Sequence, residues 1–266
     1  IRQIELINKT DSIGTSFYFK LNGKPIFIKG ANYIPQSSFL TDVTAEKYYN
    51  LLQMSKEAHM NMLRVWGGGI YEQDLFYNLC DSLGILVWQD MMFACSLYPT
   101  LESEFINSIQ EEITQNIKRL QKHPCIALWC GNNEVDVAWH NWGWQHQFGY
   151  SSEDSMTIWK GQQQLFEYLI PGIIKNLDNR AYIPSSPQSN WGTNENFNHG
   201  CMHYWDVWHG KKDIDAFKYH VGRFMAEYGF QSYPSMETLL HFTDSSHLSL
   251  TDSVMINRQK SYIGNG

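Results

Sequence analysis

The spacing of apolar positions changes several times along the chain, and each change predicts a change of element. The runs Phe17-Tyr18-Phe19-Lys20-Leu21 and Lys24-Pro25-Ile26-Phe27-Ile28 flank Asn22-Gly23. Asn-Gly accepts the positive φ angles of a type I′ turn, so this stretch predicts a β-hairpin. Short apolar runs then predict strands over 26–32, 60–65, 85–88, 125–129, 181–183, 201–204 and 223–226. Wider spacing between them predicts helices. One covers 44–59 and begins at a Thr suited to capping. A second covers 73–83 and stops at Gly84. A third, over 104–120, carries Phe105, Ile109, Ile113 and Ile117 on one face. A long Trp-rich loop is expected after the 125–129 strand. Helices follow over about 156–169 and 173–177, with weaker ones over 236–242 and 251–260.

Strand–helix alternation of this length points to a parallel sheet, either doubly wound or closed into a barrel. Polar and aromatic residues cluster just past the strand ends: Arg64-Val65-Trp66, Trp88-Gln89-Asp90, Asn132-Asn133-Glu134, Pro187-Gln188-Ser189-Asn190-Trp191, His203-Tyr204-Trp205 and Glu227-Tyr228. A barrel spreads its site over the carboxyl ends of many strands, whereas an open sheet gathers it at one switch point. The expected fold class is therefore α/β, a (β/α)8 TIM-type barrel.

Composition narrows the chemistry. Apolar residues make up 43% of the chain and charged ones 18%, which excludes a disordered chain. A net charge of −7 with scattered basic residues argues against nucleic acid as a partner. No apolar stretch approaches the roughly 20 residues of a membrane helix, so no membrane partner is expected. Aromatics reach 15%, and many sit in polar stretches, which suggests stacking surfaces as well as core. The cysteines at 80, 95, 125, 130 and 201 are odd in number and contain no CxxC, so buried free thiols are expected rather than disulfides. The opening Ile1-Arg2-Gln3 is neither an initiator nor a signal peptide, which predicts a segment of a longer protein.

Nucleotide and metal motifs are missing. Gly67-Gly68-Gly69 follows a strand but lacks a phosphate-site lysine, and reads as a flexible or tight loop. His199 and His203 are four apart, yet Gly200 and the strand pattern argue against a helix presenting both. No metal and no organic cofactor is expected. Two glutamates stand out, because Glu134 and Glu227 each come just beyond an apolar strand. Two carboxylates at one barrel mouth among Trp and Tyr suit glycoside hydrolysis, where one protonates the leaving oxygen and the other attacks or activates water. The plainer alternative is that Glu134 caps the following loop and Glu227 pairs with Arg64. Spacing leaves both open.

Six segments occur in order: Gly30-Ala31-Asn32-Tyr33-Ile34-Pro35, Leu63-Arg64-Val65-Trp66-Gly67-Gly68-Gly69, Gly84-Ile85-Leu86-Val87-Trp88-Gln89-Asp90, His123-Pro124, Trp129-Cys130-Gly131-Asn132-Asn133-Glu134 and Glu227-Tyr228-Gly229-Phe230-Gln231-Ser232. Together, over about residues 17–235, they resemble the catalytic barrel of β-mannosidases in glycoside hydrolase family 2. The resemblance implies a retaining exo-glycosidase that removes terminal β-mannose from oligosaccharides, with Glu134 as acid/base and Glu227 as nucleophile. It implies that Arg64 lies beneath the nucleophile and keeps it ionised, the alternative being a structural ion pair. Asn133 would bond the sugar 2-hydroxyl, or serve as a turn residue. Trp66, Trp142, Trp191 and Trp205 would wall the sugar subsites, or pack. Asp90 and His203 would be hydroxyl ligands or supports.

The resemblance also implies an oligosaccharide substrate and flanking β-sandwich domains. Residues 1–16 would be the tail of one such domain or a linker. Residues 17–266 would be the barrel, stopping before its eighth strand. The alternatives are a family relative acting on β-glucosaminides, β-galactosides or β-glucuronides, and a non-catalytic sugar-binding barrel.

Overall fold

The hairpin forms where its turn chemistry predicts. In the computed structural model, which describes residues 2–190 and 196–258, β1 (Ile4–Ile7) leads into a small ribbon of β2 (Thr10–Asp11) and β3 (Gly14–Thr15). β4 (Tyr18–Leu21) then pairs antiparallel with both β1 and β5 (Lys24–Ile26). Asn22 and Gly23 sit at φ 50 and 78 between them. The strand expected over 26–32 breaks in two. β5 ends at Ile26, and β6 (Gly30–Tyr33) opens a new parallel sheet. Asn61 causes the break: its side chain accepts from the Lys29 N–H at 2.8 Å and donates to the Phe27 carbonyl at 2.9 Å. Those backbone groups are thereby withdrawn from any ladder.

Strands and helices alternate from there: α1 (Ala45–Glu57), β7 (Met62–Val65), α2 (Asp74–Leu83), β8 (Leu86–Asp90), α3 (Ser103–Leu120) and β9 (Ile126–Cys130). α4 (Val135–Asn141), α5 (Trp144–Gln147), α6 (Ser152–Gln163), α7 (Ile170–Leu177) and β10 (Tyr182–Ile183) complete the run. Thr44 caps α1 by accepting from the Lys47 N–H, and α2 ends at Gly84 in the left-handed region at φ 79. β6 to β10 form a five-stranded parallel sheet in which each strand lies beside the next in chain order. The fold is α/β.

Both faces of this sheet are covered, which is why its strands read as apolar runs. Leu63, Val65, Val87 and Trp129 pack against Tyr48, Leu52, Phe76, Ile113 and Ile174 of the helices. Met62, Leu86, Trp88, Leu128 and Cys130 point the other way, onto Phe17 and Phe19 of the N-terminal strands. Alternation puts Arg64 and Asp90 on that second side with Trp88. Two more strands run parallel as β11 (Ser189–Asn190) and β12 (Cys201–Tyr204), in a sheet completed by β13 (Phe224–Tyr228). Phe224 packs on Phe17 at 4.9 Å between ring centroids.

The Trp-rich loop expected after β9 is instead the short helices α4 and α5. Trp139 stacks on Trp159 of α6 at 5.7 Å and 8°, and Trp144 joins the same cluster. The partner that makes this stretch helical therefore lies well downstream. α6 and α7 belong to one helical run, joined by a π-helical turn at Gln164–Leu169, where a break was expected.

The residues divide into two compact units. One holds the chain up to 203 together with 222–226, and the other holds 204–221 and the residues from 227 onward. Within the second, Tyr204 lies against Phe217 and His220, and α8 (Met236–Leu240) and α9 (Ser253–Arg258) are short helices. Among the described residues no helix is long and apolar enough to cross a membrane. Cys80, Cys125, Cys130 and Cys201 are buried as expected, but Cys95 is exposed.

Glu72 offers a test of this packing. Its side chain is 2% exposed and accepts from the Tyr48 hydroxyl. The Tyr77 hydroxyl accepts from the Glu72 N–H at 3.2 Å and donates to Gln89 at 2.7 Å. Burial pushes the Glu72 carboxyl above its ordinary range, against the Tyr48 and Tyr33 hydroxyls that pull it down. A carboxyl whose proton affinity rises on folding stabilises fully below its unfolded pKa, and loses that contribution as pH rises through the folded value. In urea denaturation across pH, Glu72→Gln should therefore gain on the wild type as pH climbs above the ordinary carboxylate range. A difference that stays constant with pH would show that Glu72 titrates as it does in the unfolded chain.

Candidate active site

β9 ends at Cys130, and the chain turns through Gly131-Asn132-Asn133-Glu134 into α4. Glu134 takes the left-handed backbone region at φ 62 and ψ 11, uncommon for a residue with a side chain. Its N–H donates to the Ser186 carbonyl at 2.8 Å, and its carbonyl accepts from the Ala138 N–H at 3.0 Å. The capping work at this turn falls to Asn132. Its Oδ1 accepts from the Val135 N–H at 3.1 Å and from Ser185 Oγ at 2.7 Å, while its Nδ2 donates to the Pro184 carbonyl at 3.0 Å. The Glu134 carboxylate makes no cap bond. The capping alternative for Glu134 therefore does not describe it.

That carboxylate turns elsewhere. Oε1 lies 2.7 Å from His203 Nδ1, and Oε2 accepts from Cys95 Sγ at 3.3 Å and from Asn133 Nδ2 at 3.3 Å. His203 is fully buried, with Nε2 2.9 Å from Ser186 Oγ. An ionised carboxylate only accepts, so Nδ1 carries the proton toward Glu134. Burial pushes the Glu134 carboxyl up. His203, by hydrogen bond and by charge, pulls it down, as do the Cys95 thiol and the Arg64 charge, and the balance lies below the ordinary value.

Arg64 and Asp90 anchor the site from below. The Arg64 Nε and Nη2 donate to Asp90 Oδ1 and Oδ2 at 3.2 and 2.8 Å. Nη1 donates to Asn32 Oδ1 at 3.1 Å, and Nη2 also donates to Asn133 Oδ1 at 2.8 Å. Asp90 is 0% exposed and accepts further from the Trp88 indole at 2.8 Å and the Gly67 N–H at 3.0 Å. Burial pushes the Asp90 carboxyl above its ordinary range, against the Arg64 charge and the donors that pull it back. The glycine run is a tight turn: a Cβ on Gly68 would meet the Trp66 ring at 2.0 Å. Asn32 Nδ2 donates to the Ala226 carbonyl of β13 at 3.1 Å.

The expected sugar ligands thus separate into groups. Asp90 and Asn133 are buried, and both accept from Arg64. His203 supports Glu134 directly. Trp66 is half-buried, and Trp142, 44% exposed just past α4, meets Trp144 edge-on at 6.0 Å. Trp205 donates from Nε1 to Glu227 Oε2 at 3.1 Å, within the second unit. Trp191 lies outside the described residues. Cys95, Ser186 and Asn32 were not singled out as site residues by sequence. Position alone signals them: Asn32 lies in β6 and the other two just past β8 and β10.

No family model matches the chain. Curated relatives do match it. It is 42% identical to a β-mannosidase of Rattus norvegicus over 278 residues, covering 100% of this chain and 30% of that protein. It is 38% identical to a β-mannosidase B of Emericella nidulans over 251 residues, covering 91% of this chain and 29% of that protein. A solved β-D-mannosidase from Dictyoglomus thermophilum superimposes with a TM-score of 0.84 at 43% identity, over 95% of this chain and 30% of that one. A Parabacteroides merdae β-glucuronidase, with TM-score 0.53 and 20% identity over 78% of this chain and 23% of that one, shares the fold alone. The chain spans about 30% of the length of the first curated relatives it matches.

The Arg64–Asp90 pair makes a stability test. Asp90→Asn would take from a buried guanidinium the carboxylate that meets two of its nitrogens, and should cost about 3–5 kcal/mol in chemical denaturation. Pairing it with Arg64→Met removes the buried charge and should recover much of that loss. A double variant as unstable as the single one would show that the pair's charge is not what the site depends on.

Proposed function

The chain belongs to the β-mannosidase family, and on that footing we propose that it forms most of the catalytic (β/α)8 barrel of a retaining exo-β-mannosidase. The barrel reading is supported by the parallel strands β6 to β10, laid side by side in chain order with helices between. The observation that carries the catalytic reading is the Glu134 carboxylate. It is relieved of capping by Asn132, turned onto His203 and Cys95, and presented from an uncommon backbone conformation at a strand end.

In the proposed reaction, Glu227 attacks the anomeric carbon of a terminal β-mannose. The glycosidic bond breaks with its electrons moving to the departing oxygen, which takes a proton from Glu134. A sugar seated over Glu134 removes more water from it and so raises its proton affinity, toward the acid form this step needs. In the second step Glu134, now ionised, takes a proton from water. That water attacks the anomeric carbon and releases Glu227, and two inversions leave the β configuration. The names of the relatives support mannose as the sugar.

A panel of aryl glycosides on the full-length protein tests the substrate. Aryl β-mannoside should turn over far better than the β-glucosaminide, β-galactoside or β-glucuronide. Preference for one of those would move the chain's specificity to that sugar, and binding without turnover would make it a non-catalytic lectin-like barrel. NMR of the first-formed product should show the β anomer; the α anomer would mean inversion. Glu227→Gln should nearly abolish turnover of every β-mannoside. Glu134→Gln should slow substrates with poor leaving groups by about 100- to 10,000-fold, and spare the first step for nitrophenyl leaving groups that need little protonation. Equal losses on good and poor leaving groups in both variants would refute the assigned roles.

A further inference from the structure

Trp205 is not placed as a bare aromatic wall. Its indole Nε1 donates to Glu227 Oε2 at 3.1 Å, and its ring is held from several directions. The Trp208 ring meets it edge-on at 5.9 Å and 89°, and the His209 ring lies 6.0 Å away. The His209 N–H donates to the Trp205 carbonyl at 2.7 Å, closing the backbone around it. Gly229, two residues past Glu227, lies against the indole so closely that a Cβ there would sit 3.2 Å from Trp205 Cζ3. The carboxylate-bearing segment and the indole are therefore packed as one piece within the second unit.

An indole N–H only donates and does not titrate within the working pH range. Fixed by packing, it holds one carboxylate oxygen in place and favours the ionised form by a charge-assisted bond. We propose that Trp205 is the positioning residue of Glu227: its N–H, rather than its ring face, orients the carboxylate for attack. The inference rests on the reading of Glu227 as nucleophile. It separates sharply from the subsite-wall expectation, because phenylalanine keeps an aromatic face and loses the N–H.

The test uses the full-length protein and 2-deoxy-2-fluoro-β-mannosyl fluoride, whose first step is measured as covalent labelling and whose target is found by peptide mass spectrometry. Mannose inhibition constants are measured alongside. The wild type should label at Glu227. Trp205→Phe should label the same residue about 10- to 100-fold more slowly, the loss expected for one hydrogen bond to a charged group, with mannose inhibition changed by only a few fold. Gly229→Ala, which displaces the indole without deleting any group of the site, should slow labelling in the same direction by a smaller factor. Labelling of Trp205→Phe at the wild-type rate, or weakened mannose binding with an unchanged labelling rate constant, would overturn the inference and leave Glu227 as nucleophile. A wild-type label on another residue would overturn the reading of Glu227 and the inference with it. If circular dichroism shows Trp205→Phe unfolded, Gly229→Ala decides, and an unchanged rate in that folded variant overturns the proposal.

Discussion

A guanidinium buried on the Trp88 side of a parallel sheet dictates much of what surrounds it. Arg64 is 4% exposed, and its charge lies 5.4 Å from the face of Trp88. A buried charge without partners costs several kcal/mol, so each of its donors demands an acceptor in a fixed place. Asp90 answers from the next strand, Asn32 from the strand on the other side, and Asn133 from the turn after β9. Three strands and a turn are thereby tied to one register by a single side chain. Asp90 extends the network further by accepting the Gly67 N–H, which fixes the glycine turn beneath Trp66.

The same network aims Asn133. With Oδ1 accepting from Arg64, its Nδ2 is left to face Cys95 and Glu134, which it does at 3.4 and 3.3 Å. The amide orientation is thus set by the arginine, since the reverse assignment would bring two donors together. Asn132, its neighbour, points the opposite way and closes the turn with Ser185, Pro184 and Val135. Two adjacent asparagines divide the work: one shapes the backbone and the other carries the influence of the buried charge to the carboxylate.

The elements legible in the sequence were those whose signal is local. α3 is an apolar stripe ended by its own composition, and the hairpin needs only Asn22-Gly23 between its strands. β8 ran past its expected end because Gln89 and Asp90, polar by type, are fully buried and paired. α4 and α5 were illegible because Trp139 depends on Trp159, remote in sequence. In the candidate site, strand-end position located the residues, yet could not tell which of them spend their polar atoms on one another. Cys95 looked like a buried thiol because it closes an apolar run, and it is exposed beside Glu134.

The two glutamates are held by different kinds of partner, and the difference matches what double displacement would ask of each. An acid/base must lose and regain a proton within one cycle. Glu134 accordingly sits among groups that respond to its charge: an imidazole that can share a proton, a thiol, and an amide steered by Arg64. Those bonds lower its proton affinity in the resting site, and desolvation opposes them, so a modest change in surroundings can tip the balance. A nucleophile must stay ionised and still throughout. Glu227 accordingly has among its partners a packed indole whose N–H neither titrates nor turns away. On the proposed roles, the imidazole beside Glu134 and the indole N–H on Glu227 each suit the carboxylate they meet.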